Sequence, residues 1–308
     1  MRLSLPLLLA FAIVYVVWGS TYVANIIAIE TIPPFVLVTA RLGIAGALAL
    51  AYARWRVRGG RLGGWRVPTR PQWRNLLITS FLFFTVGLGA VVWSEQFIES
   101  STAALLVALE PLVVVLVLWL LDGARPRWQA FLGVALGIAG TAMLVGQDFV
   151  VDGREGWWGV GAVLVAITAW AFGSVFTARW DLGADRVAAA GWQMLLAAGL
   201  SVPIALASGE LVGFTLAGVS ETSWWAFAFL VVFGSIVAYT AFLYLLQHVS
   251  PEKVATSTYV HPIVALILGV ALRGEPVGAQ TLAACAVMLT GVVFVNASGT
   301  AAEKVGVE

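Results

Sequence analysis

The chain has 308 residues, of which 61% are hydrophobic and 11% are charged, and its net charge is +1. A soluble domain of this length carries about a quarter of its residues charged, so the composition excludes a soluble protein and indicates a polytopic membrane protein. The near-neutral charge gives no reason to expect a nucleic-acid partner, and the single Cys285 excludes an internal disulfide.

Apolar stretches of about 20 residues, the length that crosses a bilayer, recur along the whole chain. The first apolar run continues past residue 20 without a clear small-residue cleavage site, so it predicts a retained helix rather than a signal peptide. Residues 55–74 are the one longish polar connection, and the polar tail 299–308 is predicted to be disordered. An all-α fold with ten transmembrane helices follows, at residues 5–28, 34–54, 75–96, 101–121, 127–146, 157–178, 187–208, 224–247, 253–272 and 278–297.

Basic residues are divided unequally between the two sides of this predicted bundle. Connections rich in Lys and Arg remain in the cytoplasm. The opposite connections contain only Arg154 and Arg273, while Arg41 lies inside a predicted helix. Both termini are therefore predicted to be cytoplasmic, on the side that holds Arg2, Arg54, Arg56, Arg58, Arg61, Arg66, Arg70, Arg74, Arg125, Arg127, Arg179, Arg186, Lys253 and Lys304.

Similar residues recur at an offset of about 151 positions. Glu110-Pro111 in "ALEPLVVVLVLWLL" corresponds to His261-Pro262 in "YVHPIVALILGVAL". Because each half holds five predicted helices, an odd number, the second copy enters the membrane inverted. Inverted repeats are common in secondary transporters, where the substrate binds between the halves. We therefore expect repeats at 1–150 and 151–298, although apolar helices also resemble one another by composition alone. Further matched pairs are Trp18 with Trp170, Arg41 with Gln193, Trp93 with Tyr244, Gln129 with Gln280, and Gly140 with Gly291.

Arg41 and Glu110 are ionisable residues within predicted spans. Counted at 1.5 Å per residue from the outer helix ends, they lie at similar depths of about 10 and 13 Å. An ionisable group in hydrocarbon is costly unless it is paired or hydrated, so both are expected to face the bundle interior. They are predicted either to form an ion pair or to contact the substrate or a proton. Arg41 has the further alternative of reaching outward to the interface.

His261 and the two prolines have both structural and functional interpretations. His261 is either a proton carrier or a buried neutral residue with a hydrogen-bonding neighbour, and with only His248 besides it no metal site is expected. Pro111 and Pro262 predict helix bends, which either line the pathway or serve as static kinks.

Aromatic residues in mid-membrane are the remaining candidates for a cavity. Trp usually lies at membrane interfaces, so Trp18 and Trp170 near the middle of their helices indicate either a cavity wall or core packing. Gly133, Gly137 and Gly140 share one face and predict close helix packing, within the fold or between protomers. Further cavity candidates at suitable depth are Tyr15, Tyr22, Gln193, Tyr239 and Tyr259.

Several classes of membrane protein are disfavoured by missing motifs. The spans contain no Asp and no G-x-S-G nucleophile, so an intramembrane protease is not expected, and the chain has no phosphate-binding loop of a primary pump. We expect no enzymatic activity and no cofactor. A channel remains a rival, although the repeat and the prolines favour a carrier.

The chain resembles the EamA-type transporters of the drug/metabolite transporter superfamily over about residues 7–297. The likeness rests on "WGSTYVA", "RLGIAGAL" and "GEPVGAQTLAACAVMLTGVVFV", although Ala124 stands in the first half where Glu275 stands in the second. The resemblance implies ten helices, a location in the bacterial inner membrane, and export of amino acids or other small metabolites, with the bacterial exporters of aromatic amino acids as the most similar branch. The alternatives are proton-coupled multidrug or cation efflux and a channel-like facilitator. The resemblance implies that the four-helix multidrug relatives depend on a membrane carboxylate in helix 1. Here helix 1 has none before Glu30, which disfavours proton-coupled antiport but leaves Glu110 open in that role.

The predicted cavity is rich in aromatic residues and poor in cations. Phosphorylated sugars would need several Arg or Lys residues within the spans, and only Arg41 is present. The sequence therefore predicts neutral, most of all aromatic, amino acids as substrates, with the lipid bilayer as the other partner. A monomer is expected.

Overall fold

The computed structural model describes residues 4–58, 67–98, 103, 106–123, 127–145, 153–183, 185–261, 263–264, 267 and 278–297. Within these residues every regular element is a helix or a helical turn. A short 3₁₀ turn, Thr256–Tyr259, follows the helix Pro251–Ala255. The helices are α1 (Leu5–Ile29), α2 (Pro34–Arg58), α3 (Arg70–Ser94), α4 (Glu110–Asp122), α5 (Trp128–Val145), α6 (Gly153–Arg179), α7 (Arg186–Ala207), α8 (Glu221–His248), α9 (Pro251–Ala255) and α10 (Ala279–Ala297).

Helix length and hydropathy identify a membrane protein. Among the described residues, α1, α2, α3, α6, α7 and α8 are each long and apolar enough to cross a bilayer, and α5 and α10 contain shorter apolar stretches. The predicted spans 101–121 and 253–272 fall partly outside the described residues, as do Pro262 and the tail 299–308. The count of ten spans and the inverted repeats therefore stay predictions.

Local sequence signals explain several helix ends. α3 begins after Thr69, whose backbone N–H donates to Gln72 Oε1 at 2.8 Å, as in a capping box. Asp185 Oδ1 accepts the N–H of Ala188 at 2.9 Å at the start of α7. α2 and α3 both extend several residues beyond their predicted limits, because Arg side chains at a membrane surface can reach water from a continuing helix.

Two pairs of helices cross at glycines. In the α2–α7 pair, a methyl group on Gly46 would lie 2.8 Å from the carbonyl oxygen of Gly191. In the α5–α10 pair, a methyl group on Gly133 would lie 2.7 Å from the carbonyl oxygen of Gly291. Small residues allow such close backbone contact in membranes. The glycines of α5 thus pack within the fold, with Gly137 against Tyr259 in the same row.

Two of the long helices contain a π-helical segment. These segments are Phe81–Leu88 in α3 and Leu230–Val237 in α8. π-Helical turns are rare and are frequent at functional sites. The two segments differ by 149 positions in the chain, close to the offset found in the sequence, and both contribute residues to the cavity described below.

Polar contacts join the connections in two groups. One group links the connections predicted to be cytoplasmic, with Arg179 Nη2 2.7 Å from Asp122 Oδ2 and Gln72 Nε2 2.8 Å from Asp181 Oδ2. Hydrogen bonds from the Gly183 N–H and from Gln72 lower the pKa of Asp181. At the other end, the Glu210 carboxylate accepts backbone N–H groups at the start of α2. The contacts separate two ends of the bundle, while their assignment to cytoplasm and exterior stays a prediction.

Candidate functional site

A cavity of about 120 Å³ lies between the two halves of the chain. Along α1 it runs from Trp18 to Asn25, which is about 10 Å at 1.5 Å per residue, and it occupies the half of the bundle in which α1 and α3 end. The lining residues are Trp18, Thr21, Tyr22, Asn25, Arg41, Phe84, Gly87, Leu88, Val91, Val107, Glu110, Ala166, Ile167, Trp170, Gly234, Tyr239, Phe242, Ser257, Thr258 and His261.

Seven of the ten residues predicted for a cavity line this one: Trp18, Tyr22, Arg41, Glu110, Trp170, Tyr239 and His261. The structure thus brings together residues that lie up to 243 positions apart. Their roles in binding stay predictions, since proximity alone does not establish contact with a substrate.

The other three predicted residues lie outside the lining. Gln193 is fully buried behind Tyr239, whose hydroxyl donates to Gln193 Oε1 at 3.0 Å, and Gln193 itself donates to Thr79 at 2.7 Å. Tyr259 is fully buried against Gly137 of α5, and Tyr15 packs on the Phe11 ring. Gln193 is therefore a support for a lining residue, and Tyr259 and Tyr15 contribute to helix packing.

Aromatic rings close the inner end of the cavity. The Trp18 and Trp170 rings meet edge to face with centroids 5.5 Å apart, and Phe242 lies 5.0 Å from Trp18. The Trp18 indole N–H donates to the Gly234 carbonyl at 3.0 Å. Trp170 packs on Gly87, where a methyl group would lie 3.0 Å from its ring. Each tryptophan thus contacts a glycine of a π-helical segment. We call the three rings of Trp18, Trp170 and Phe242 the aromatic floor.

Arg41 is buried and has neutral hydrogen-bonding partners. Its Nε donates to Ser235 Oγ at 2.7 Å and its Nη1 to Asn25 Oδ1 at 3.3 Å. The structure describes both Arg41 and Glu110, and no ion pair within 4.0 Å joins them. The predicted ion pair is therefore wrong. The alternative that Arg41 reaches outward is wrong too, because only 5% of the residue is exposed.

Glu110 and His261 face the same cavity from opposite halves of the chain, and each is only 5% exposed. Glu110 is the first residue of α4, where the positive end of the helix dipole favours a carboxylate. Neither ring nitrogen of His261 has a hydrogen-bond partner among the described residues. The predicted hydrogen-bonding neighbour of His261 is therefore not found in the part of the chain that the structure describes.

Pro111 lies in the first turn of α4 rather than in the interior of a longer helix. The chain forms a turn at Ala108 and Leu109 immediately before it. Proline fits the first helical turn because the N–H that it lacks would have no partner there. The break thus precedes the proline, which corrects the expected bend within one continuous helix, and Pro262 lies outside the described residues.

Three residues at the site were not predicted from the sequence: Glu95, Asn25 and Ser235. Glu95, at the end of α3, interacts electrostatically with Arg41 and Tyr22, and its carboxylate oxygens are buried without a hydrogen-bond partner among the described residues. Asn25 and Ser235 hold Arg41. A polar Asn25 within an apolar helix was a usable signal, whereas Glu95 had the appearance of an ordinary interfacial residue.

The arrangement combines the aromatic floor with a few polar groups on the walls. It offers one guanidinium, one cavity-facing carboxylate and hydroxyls from Tyr and Thr, which suits a small ligand that has both an apolar body and charged ends. The described residues contain no group of three potential metal ligands.

A bundle of apolar helices around a cavity lined from both halves of the chain is an architecture found in membrane transporters. The chain belongs to the EamA-like transporter family, whose model matches it twice, over residues 5–146 and 157–297. The resemblance seen in the sequence is thereby confirmed.

Three proteins illustrate the likeness. The "Uncharacterized inner membrane transporter YedA" of Escherichia coli (strain K12) is 35% identical over 96% of this chain and 92% of its own length. The "Probable terminal-alkyne amino-acid exporter" of Streptantibioticus cattleyicolor is 25% identical over 93% of this chain and 92% of its own length. A crystal structure of a protein that is 21% identical superposes with a TM-score of 0.76, covering 96% of this chain and 99% of the other, which shows a shared fold.

Proposed function

We propose that this transporter exports neutral, most of all aromatic, amino acids from the cytoplasm by alternating access through the central cavity. The observation that carries the proposal is the aromatic floor of Trp18, Trp170 and Phe242 beneath a wall that holds Arg41 and Glu110. An aromatic side chain would lie against the floor, where an offset or edge-to-face pair contributes about 0.5–1.5 kcal/mol beyond area burial.

The charge of the lining supports a zwitterion over a strongly anionic substrate. Arg41 is the single Arg or Lys side chain among the described residues that line the cavity, and phosphorylated sugars or nucleotide sugars require several cations. The guanidinium of Arg41 and the carboxyl group of Glu110 offer separate places for the carboxylate and ammonium groups of an amino acid.

The comparisons lend support to amino acids as the substrate class. The Streptantibioticus relative is described by its name as an amino-acid exporter, and YedA by its name as an inner membrane transporter. An inner-membrane location with both termini in the cytoplasm agrees with the distribution of arginines, and two inverted halves would give the exchange of inward-facing and outward-facing states.

Counterflow in proteoliposomes with labelled phenylalanine, alanine and threonine tests the proposal. Trp18→Ala and Trp170→Ala should reduce phenylalanine transport relative to alanine transport by about 2–10-fold, which corresponds to one lost aromatic pair. Trp225→Ala is the matched control, because its ring is 71% exposed and does not line the cavity.

The same vesicles separate the rival functions. Transport of threonine or a sugar with no transport or competition by phenylalanine would reject aromatic specificity. Conduction at channel-like rates would indicate a facilitator instead. Dependence on a pH gradient together with transport of organic cations would favour proton-coupled multidrug efflux.

A further inference from the structure

The π-helical segment Leu230–Val237 contacts both the aromatic floor and the guanidinium of Arg41. Gly234 accepts the indole N–H of Trp18 at 3.0 Å, and the next residue, Ser235, accepts Nε–H of Arg41 at 2.7 Å. We propose that Gly234 and Ser235 are specificity-determining residues, which position Arg41 as the receptor for the substrate's carboxylate above the aromatic floor. The inference rests on the proposed function and deepens it, since it makes a free carboxylate a requirement for transport.

The guanidinium has unused donors that can bind a carboxylate. Of its five N–H groups, one is given to Ser235 and one to Asn25. The remaining three have no acceptor among the described residues, and Arg41 lines the cavity. A carboxylate that reaches the Nη1–Nη2 edge would form the bidentate pair that arginine favours. Ser235 and Asn25 fix the plane of the guanidinium before the substrate arrives.

Gly234 leaves the space that this position of Arg41 requires. A methyl group at Gly234 would lie 2.9 Å from Arg41 Nη2 and 3.1 Å from Thr21 Cγ2. These distances are shorter than ordinary contacts, so either the guanidinium or α8 would have to shift. Because the same residue accepts the Trp18 indole, a shift of α8 would also change the distance between the carboxylate receptor and the floor.

The polar groups around Arg41 suit a substrate with one carboxylate and an ammonium group. Glu95 interacts electrostatically with Arg41 but forms no ion pair with it within 4.0 Å, as both residues are described. Arg41 is the one Arg or Lys side chain among the described residues that line the cavity, so a single carboxylate matches it better than a phosphate dianion does. Tyr22 and Glu110 line the same cavity, where a hydroxyl and a carboxyl oxygen can accept hydrogen bonds from the substrate's ammonium group.

Competition against labelled phenylalanine counterflow tests the inference, with phenylalanine, phenylalaninamide and phenethylamine as competitors. In the wild type, the two analogues without a carboxylate should compete at least about tenfold less well than phenylalanine, since hydrogen bonds to a charged group are the strong ones. Gly234→Ala should raise KM for phenylalanine about tenfold and reduce this discrimination. Gly199→Ala is the matched control, because its methyl group would meet nothing within 4 Å, and it should behave as wild type.

Ser235→Ala is the second variant, which removes only the hydroxyl that holds Nε and keeps the inference testable if Gly234→Ala fails to fold. It should weaken discrimination in the same direction, with a melting temperature near that of the wild type. Equal competition by phenethylamine and phenylalanine in the wild type would overturn the inference and leave the proposed function standing. So would a lower maximal rate of Ser235→Ala at unchanged KM and unchanged discrimination. The absence of any amino-acid transport by the wild type would instead overturn the proposed function, and the inference with it.

Discussion

Replacement of Gly133 by alanine should open the crossing of α5 and α10. The added methyl group would lie 2.7 Å from the Gly291 carbonyl oxygen and 2.7 Å from the Val295 backbone nitrogen. Both are backbone atoms of α10, so no side-chain rotation relieves the clash. Ordinary contact begins at 3.4 Å, and the two helices must therefore separate by about 0.7 Å, the difference between these distances.

Two opposing effects determine how much Gly133→Ala changes the free energy of unfolding. Overpacking of a tight interface costs about 1–3 kcal/mol, whereas alanine in place of glycine within a helix gains about 1 kcal/mol. Gly199→Ala receives the same gain without a clash, since its methyl group has open space. The difference between the two variants thus isolates the clash, and Gly133→Ala should be less stable than Gly199→Ala by about 1–3 kcal/mol.

Cys285 provides a local measurement of this opening. It is the single cysteine of the chain, it is partly buried in α10, and it packs beside Met288 and Tyr259. A thiol-reactive dye added to detergent-solubilised protein during a temperature ramp should react at a lower temperature in Gly133→Ala than in Gly199→Ala. Equal reaction temperatures for both variants would show that the α5–α10 crossing is looser than the structure describes, and would refute the argument.

Further predictions concern the buried charges and the topology. Because Arg41 and Glu110 form no ion pair, the losses of stability in Arg41→Gln and Glu110→Gln should add in the double variant to within about 0.5 kcal/mol, and a larger coupling measured by thermal unfolding would contradict the geometry. In a Cys285→Ala background, an impermeant thiol reagent applied to intact cells should label Glu155→Cys and not Val67→Cys; equal labelling would reject the predicted orientation.

The sequence located the helices and seven of the twenty lining residues because membranes impose a strong hydropathy signal. A carboxylate, a guanidinium or a tryptophan at mid-depth is costly or unusual there, and for that reason Glu110, Arg41 and Trp170 stood out. All three line the cavity.

The directions of side chains and the π-helical segments could not be predicted, because hydropathy contains no information about them. Depth does not specify which way a side chain points around a uniformly apolar helix, so Tyr15, Gln193 and Tyr259 were placed at the right level but do not line the cavity. For the same reason, the similar depths of Arg41 and Glu110 did not imply contact. The π-helical segments carry no sequence signal of their own, since extra residues in a turn are stabilised by tertiary packing rather than by local propensity.

The aromatic floor has a consequence for how this gene can change over time. Trp18 of the first half is seated on Gly234 of the second, while Trp170 of the second half is seated on Gly87 of the first. A methyl group acquired at Gly87 would lie 3.0 Å from the Trp170 ring, and one acquired at Gly234 would lie 2.9 Å from the Arg41 guanidinium, so each glycine affects a residue encoded in the opposite half of the chain. Selection must act on such pairs jointly, and a chimera that takes one half from a distant relative would separate Trp170 from Gly87 and Arg41 from Gly234.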